Sequence, residues 1–501
     1  MENLIPYIKL IILALACLVT GVCTLSRKWY VNLPVFLICI AGETFMAYLF
    51  FPAYALWPAC GSVAIFAFST AWEHLKPSGR KENKSPIRLP VISGVPYRHL
   101  EFYYYYSNFL VYGGAGSGKT KSIGKWLLEE YIRLGFAGFI YDFKDVDYTQ
   151  TAYNLTKKYG YPHKFYYVSF DKPERSYRFN PLKVVKDRTE LMQLMEDVLL
   201  ALLPKGEKQN EWVAGGLGIL RGVAFRFWDE FPEYCTLPHI MAFIMTASTR
   251  QLSIFLQQNL VAEMMAGAYL KAEGSEKTQA SYLSTLCNNL STISQNEEIA
   301  YILSGDDFDF NLIDPEDPKL FAISNNFSKN SVYAPVIGML MSISTRQFTM
   351  QNKVPFVYFL DEMTTVNIKN FETLPSVLRE YKVGFVLLTQ SGAKLEALFG
   401  KEEKERKSRS TGKSGSSSNR SVTISSQKED IYQGRDFADL EPGEFIGSAT
   451  RANVRYFKVM LGEFKEKDEK PLPDVRVLEP GEISGNFARI LEEVRSLFPC
   501  E

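Results

Sequence analysis

The sequence predicts an α/β fold: a sheet of short buried strands, interrupted by an all-helical insertion and preceded by apolar helices at the N-terminus. Three observations carry this reading. Gly113-Gly-Ala-Gly-Ser-Gly-Lys-Thr120 fits the pattern G-x-x-x-x-G-K-[ST]. It lies between an apolar run, Phe109 to Tyr112, and a helical apolar pattern at Ile123, Trp126, Leu127 and Tyr131. Short apolar runs ending in polar residues occur before residue 186 and after residue 304, whereas 187–303 has largely helical spacing. Three apolar segments, Leu4–Leu25, Val31–Phe51 and Pro52–Trp72, open the chain.

Each opening segment is about 20 residues long, the length that spans a hydrocarbon core of ~30 Å. The first is too long for the apolar part of a signal peptide and lacks a basic start. Trp29, Tyr30, Trp57 and Trp72 lie at or near the segment ends, where aromatic belts form. Arg27 and Lys28 separate segments one and two, no charge lies near Pro52, and Lys76, Arg80, Lys81, Lys84 and Arg88 follow segment three. Positive charge stays inside. The expectation is therefore a multi-pass region of about three helices over 1–75, with the N-terminus outside and the rest of the chain cytoplasmic. Glu43 is expected to face other helices. Residues 76–96 read as a polar, proline-containing linker, and Tyr103–Tyr106 as aromatic strand packing.

The first part of the α/β domain is expected over 97–186. Glycines let backbone N–H groups close around a di- or triphosphate at the positive end of the following helix. Gly113, Gly114, Ala115, Gly116, Ser117, Gly118, Lys119, Thr120 and Lys121 are thus the candidate ATP-binding residues. Lys119 would neutralise the β/γ oxygens and the Thr120 hydroxyl would ligate Mg²⁺. A second strand, Phe136–Tyr141, ends in Asp142-Phe-Lys-Asp145, at an edge where polar groups can meet phosphates or attacking water. A third, Lys164–Phe170, leads to Arg178-Phe-Asn-Pro-Leu182.

The helical insertion, 187–303, opens with Leu191, Leu194, Met195, Val198, Leu199 and Leu202 on one face, capped by Asp187 or Thr189. Trp212–Trp228, Ser253–Tyr269 and Tyr282–Ile293 read as further helices. The second part of the α/β domain, 304–470, resumes with a strand at Leu320–Ser324 and a stronger one at Lys353–Asp361. An apolar strand ending in Asp-Glu is a weak signal alone and a strong one after a phosphate-binding loop. Asp361 would hold Mg²⁺ through water, and Glu362 would polarise the attacking water. Val383–Gln390 is a last buried strand whose terminal Gln390 is placed to sense the γ-phosphate. Residues 402–427, rich in Ser, Lys and Arg, read as a mobile solvated loop. Arg451–Val459 reads as a strand. In the tail, 471–501, Phe487–Phe498 reads as an amphipathic helix.

Composition narrows the choices. The chain has 501 residues and a formal net charge of zero, so any nucleic-acid contact must be local, such as a channel lining. Its seven cysteines and four histidines show neither metal-ligand spacing nor a disulfide framework. The only metal expected is Mg²⁺ carried by the nucleotide.

In the order of these features the chain resembles the type IV coupling proteins, the TraG/TraD family of conjugative DNA-transfer ATPases. The resemblance rests on membrane helices, the loop at Gly113–Thr120, and Asp142-Phe-Lys-Asp145 where the family tends to have Asp-Pro-Lys-Gly. It continues through Phe179-Asn-Pro-Leu182, the helical insertion, Leu360-Asp-Glu362, Thr389-Gln390-Ser391 and a Ser-rich loop. It implies a RecA-like P-loop NTPase motor, assembled as a homo-hexamer in the bacterial inner membrane. The motor would take a relaxase with its DNA and pass it to a type IV secretion channel. It further implies that Arg379, with Lys119, Glu362 and Gln390, is catalytic and reaches a neighbouring subunit's nucleotide. Two departures stand out: three membrane segments instead of two, and Phe399-Gly400 running directly into the charged loop where the family has another strand and helix. A substrate-docking receptor that hydrolyses weakly or not at all, and an FtsK-like motor on another substrate, remain the alternatives.

Overall fold

In a computed structural model of the chain, the described residues are 9, 29–50, 52, 60, 85–203, 210–366, 368, 371–390, 440–466 and 469–499. Two compact units are present, Met1–Asn83 and Lys84–Glu501. In the first, Trp29–Phe50 (α1) is a 22-residue helix that contains most of the second expected segment. The expected segments Leu4–Leu25 and Pro52–Trp72 lie outside the described residues, apart from isolated positions. Among the described residues no helix is long and apolar enough to cross a membrane.

The second unit holds two sheets. Ile87–Ser93 (β1), His99–Phe102 (β2), Glu444–Ser448 (β9) and Tyr456–Leu461 (β10) form an antiparallel sheet in the order β2-β1-β10-β9. Phe109–Tyr112 (β3), Ala137–Asp142 (β4), Lys164–Ser169 (β5), Lys319–Ser324 (β6), Phe356–Leu360 (β7) and Val383–Thr389 (β8) form the larger sheet. Its order is β3-β8-β7-β4-β6-β5, and every neighbouring pair is parallel. Parallel strands covered on both faces read as unbroken apolar runs. Accordingly, every residue of β4, β7 and β8 is buried. Among the described residues β3 is an edge strand; the segment after Gly400 lies outside them, as does the expected loop 402–427.

The end of the expected linker is a correction. Residues 87–93 are a strand, with Ile87 and Leu89 buried against Leu100 and Phe102 of β2. Pro90 obscures the alternation in the sequence, but its carbonyl still accepts from Gly462 N at 2.9 Å. Tyr103–Tyr106 is a turn rather than strand, and Tyr105 and Tyr106 rest against Phe136 at 5.8 and 5.9 Å between ring centroids. Arg451–Val459 is strand only from Tyr456.

Lys125–Arg133 (α2) follows β3 and Asp147–Lys158 (α3) follows β4. The insertion comprises Arg188–Leu202 (α4), Glu211–Glu230 (α5), Leu237–Thr246 (α6), Thr249–Gln257 (α7), Leu260–Met265 (α8), Gly267–Lys271 (α9), Glu276–Ser294 (α10) and Glu297–Leu303 (α11). Asp187 caps α4 by accepting from Glu190 N at 2.9 Å. The single helix expected over Ser253–Tyr269 is three. Asn259 turns its side chain back onto Val261 N and Ala262 N and restarts the chain as α8. The insertion shares one hydrophobic core with one face of the parallel sheet, reaching from Phe139 and Tyr358 to Ile240 and Phe255. Asn330–Thr345 (α12) lies in this core, and Leu374–Val377 (α13) continues into a 3₁₀ turn, Leu378–Tyr381. The tail helix is Glu482–Ser496 (α14), starting and ending earlier than expected; it buries Ile490 and Val494 in the same core.

A candidate nucleotide site at the carboxyl ends of the strands

Register brings the candidate residues together. Tyr112 pairs with Thr389, Leu360 with Leu387, and Tyr141 with Leu360. Gly113, Gln390, Asp361 and Asp142 therefore begin where neighbouring parallel strands end, which is where open α/β sheets bind ligands. Gly113 N–H donates to Thr389 O at 3.3 Å and Asp361 N–H to Tyr141 O at 3.0 Å, so the strand ends are stitched to one another.

Gly116 and Gly118 have φ of 77° and 88°, the left-handed region that glycine enters without a steric cost. The chain then enters a π-helical turn, Lys119–Gly124, before α2. Lys119 is buried, and its ammonium donates to Gly113 O and, at 2.7 Å, to Gly114 O. Burial lowers its pKa, opposed by Glu362 and Asp361, while Lys144 adds to the lowering. The loop is held from behind by the antiparallel sheet. Gly443 N–H donates to Ser117 O at 3.1 Å, and a Cβ on Gly118 would lie 2.8 Å from Gly443 N. Phe464 N–H donates to Lys121 O, and the Lys121 ammonium pairs with Glu463 at 3.0 Å. Lys121 thus turns to β10's far end, and neither Gly443 nor Glu463 carries a local sequence signal for this role.

Asp361 is buried, with Oδ2 lacking any hydrogen-bond partner among the described residues. Burial pushes its pKa up to about 6, against the pull of Lys144. Glu362 adopts φ 46°, rare for a residue with a side chain and a form of strain that collects at functional sites. Its Oε1 accepts from Gln390 N at 3.2 Å and from the Thr389 and Thr364 hydroxyls at 3.4 Å each.

The motif Asp142-Phe-Lys-Asp145 divides its roles. Asp142 is not open to a phosphate: it is fully buried and accepts from Thr149 N at 2.8 Å and Thr149 Oγ1 at 3.0 Å. Burial pushes its pKa up to about 8. Asp145 pairs with Lys172 at 2.8 Å. Lys144 is exposed like Asp145, and its charge acts on both Lys119 and Asp361.

Arg379 is exposed in the 3₁₀ turn that feeds β8, at the end of that strand opposite Gln390. At ~3.3 Å per residue, β8 alone separates the two by about 20 Å. The structure therefore does not bring Arg379 to its own chain's site. It forms no ion pair with Glu372 or Glu380 among the described residues.

Among the described residues no group of three or more His, Cys, Asp and Glu side chains could hold a metal unaided. A nucleotide-borne Mg²⁺ is a different case, because phosphate oxygens complete its shell. The orphaned Asp361 Oδ2, the Thr120 hydroxyl at the start of the helix and the glycine cradle fit that ion and its nucleotide.

A family model described as Type IV secretory system Conjugative DNA transfer matches residues 80–414. No curated protein matches the chain significantly. Among solved structures, the bacterial conjugative coupling protein TrwB in a trigonal form with sulphate aligns at 18% identity and TM-score 0.46, covering 58% of this chain and 66% of that one. TrwB in complex with a non-hydrolysable GTP analogue aligns at 19%, TM-score 0.46, covering 58% and 66%. TrwB in complex with ADP and Mg²⁺ aligns at 18%, TM-score 0.46, covering 58% and 65%. The alignments span just under two thirds of those chains. The family model covers more than half of this chain, and the chain belongs to the family of type IV secretory system conjugative DNA-transfer proteins.

Proposed function

We propose that the chain is a membrane-anchored ATPase that couples a relaxase–DNA substrate to a type IV secretion channel and drives DNA translocation. The observation that carries the reading is the convergence of Lys119, Thr120, Asp361, Glu362 and Gln390 on aligned strand ends, in a chain of the conjugative DNA-transfer family. Lys119 neutralises phosphate charge, Thr120 and Asp361 hold Mg²⁺, Glu362 polarises water, and Gln390 reports the γ-phosphate. Ring assembly as a homo-hexamer would bring Arg379 to a neighbour's nucleotide. The helical insertion, 187–303, would meet the relaxosome, and the three apolar segments within 1–75 would anchor the chain in the inner membrane.

The test is ATP turnover by the full-length protein in lipid nanodiscs, with and without single-stranded DNA. Stimulated turnover that Lys119→Ala abolishes supports the reading. Absence of turnover in both conditions replaces it with a docking receptor, and preference for duplex DNA with an FtsK-like pump. Labelling with a membrane-impermeant thiol reagent tests the anchor. A cysteine at residue 55 should react from outside and one at residue 28 should not; the reverse pattern excludes the three-span topology.

A further inference from the structure

Tyr148, in the first turn of α3, is a buried side chain that the mechanism above does not use. It is 1% exposed, its ring lies 4.8 Å from that of Phe359 in β7, and its hydroxyl has no hydrogen-bond partner by strict geometry among the described residues. That hydroxyl is pressed against the start of the loop helix: a Cβ on Gly124 would lie 2.1 Å from it. Glycine at 124 is what leaves room for the oxygen. A buried hydroxyl without a partner is costly, which points to a task that a phenylalanine could not perform.

The groups around it define the task. Thr120 lies one turn before Gly124 in the same helical segment, Lys119–Gly124, whose end is closed by the Lys125 N–H on Thr120 O, and its hydroxyl is the side-chain group there that can engage the Tyr148 oxygen. A phenol O–H can donate or accept. Thr120 needs such a neighbour. A hydroxyl that ligates a cation must point a lone pair at the ion and its hydrogen elsewhere; a free rotor does neither reliably. We infer that Tyr148 is a positioning residue whose oxygen accepts the Thr120 hydroxyl hydrogen, so that a lone pair of Thr120 Oγ1 faces the place where Mg²⁺ sits beside Asp361. This rests on the nucleotide-site reading and extends it to a residue on a different helix, packed directly against the loop helix.

The experiment uses the full-length protein, a fluorescent ADP analogue and a MgCl₂ titration, reading nucleotide binding rather than turnover. Tyr148→Phe removes one oxygen and keeps the ring against Phe359. Its affinity for the analogue in EDTA should equal wild type, which also reports that the fold is intact. The Mg²⁺ concentration giving half of the tightening should rise about three- to ten-fold, the worth of one hydrogen bond. In a Thr120→Ala background the same substitution should shift that midpoint no further. An unchanged midpoint, a shift that persists without the Thr120 hydroxyl, or loss of binding in EDTA overturns the inference. If Mg²⁺ fails to tighten binding in the wild type, or Thr120→Ala leaves tightening intact, the site reading itself fails, and this result is distinct from the others.

Discussion

Glu362 Oε1 accepts a hydrogen bond from the backbone N–H of Gln390 at 3.2 Å, tying the end of β7 to the end of β8. The carboxylate proposed to polarise water and the residue proposed to sense the γ-phosphate are thus one mechanical unit, and a shift of β8 moves both. Glutamine at 362 can keep that hydrogen bond through its amide oxygen while losing the charge. Glu362→Gln should retain nucleotide affinity and lose about 10²–10⁴ in single-turnover hydrolysis. Equal loss of affinity would mean that the carboxylate serves chiefly to hold the loop.

The turn at Gly443 should support the phosphate loop from behind. Gly443 has φ 89°, and a Cβ there would lie 3.3 Å from Met460 Sδ and 3.4 Å from Ser122 Oγ. Left-handed backbone costs an L-residue about 1–2 kcal/mol. Gly443→Ala should therefore weaken nucleotide binding by about tenfold in equilibrium titration and lower the melting temperature. Unchanged affinity with a lowered melting temperature would show that the turn stabilises the sheet without shaping the loop.

Asp142 makes stability depend on pH. Its folded pKa, pushed up to about 8, lies above the ordinary 3.8, so the folded state keeps a proton that the unfolded chain releases. Stability should fall as pH rises from about 4 to about 8. Asp142→Asn can satisfy Thr149 without a charge, and should raise the unfolding free energy most at pH 8 and least near pH 4. Denaturant melts of the nucleotide-free protein across that range check it. A variant less stable than wild type at pH 8 would contradict the assignment.

Arg379 lies about 20 Å of strand from its own chain's Gln390, so the catalytic role proposed for it requires a second subunit. In the proposed hexameric ring, Arg379→Ala and Lys119→Ala proteins should each be inactive. Mixed rings should recover turnover, since one subunit retains the arginine and the other the loop. The gain where such arginines are established is about 10³–10⁵ in rate. Mixtures that assemble yet stay inactive would exclude supply in trans.

What was legible in the sequence is what local chemistry encodes. The glycine loop of 113–120, the apolar strands around it and Asp361-Glu362 require particular residue types at fixed spacing, because phosphate, metal and water impose that spacing. The helical insertion is equally local, since a 3.6-residue period shows whatever it packs against; its breaks at Asn259 and Ala266 were hidden within a continuous apolar pattern. Tertiary structure alone decided the rest. Whether Asp142 or Lys144 faces the site depends on α3 swinging Thr149 over the carboxylate, and that Gly443 backs Gly118 depends on a partner 325 residues away in the chain. Strand Ile87–Ser93 exists because β2 and β10 pair with it on both sides, and its Pro90 conceals that in one dimension. Tyr148 reads as one more aromatic in a helix until the fold sets its hydroxyl against Gly124. A sequence records which groups can act; which of them meet is set by the register of β3, β8, β7 and β4, and register is a property of strands that are far apart in the chain.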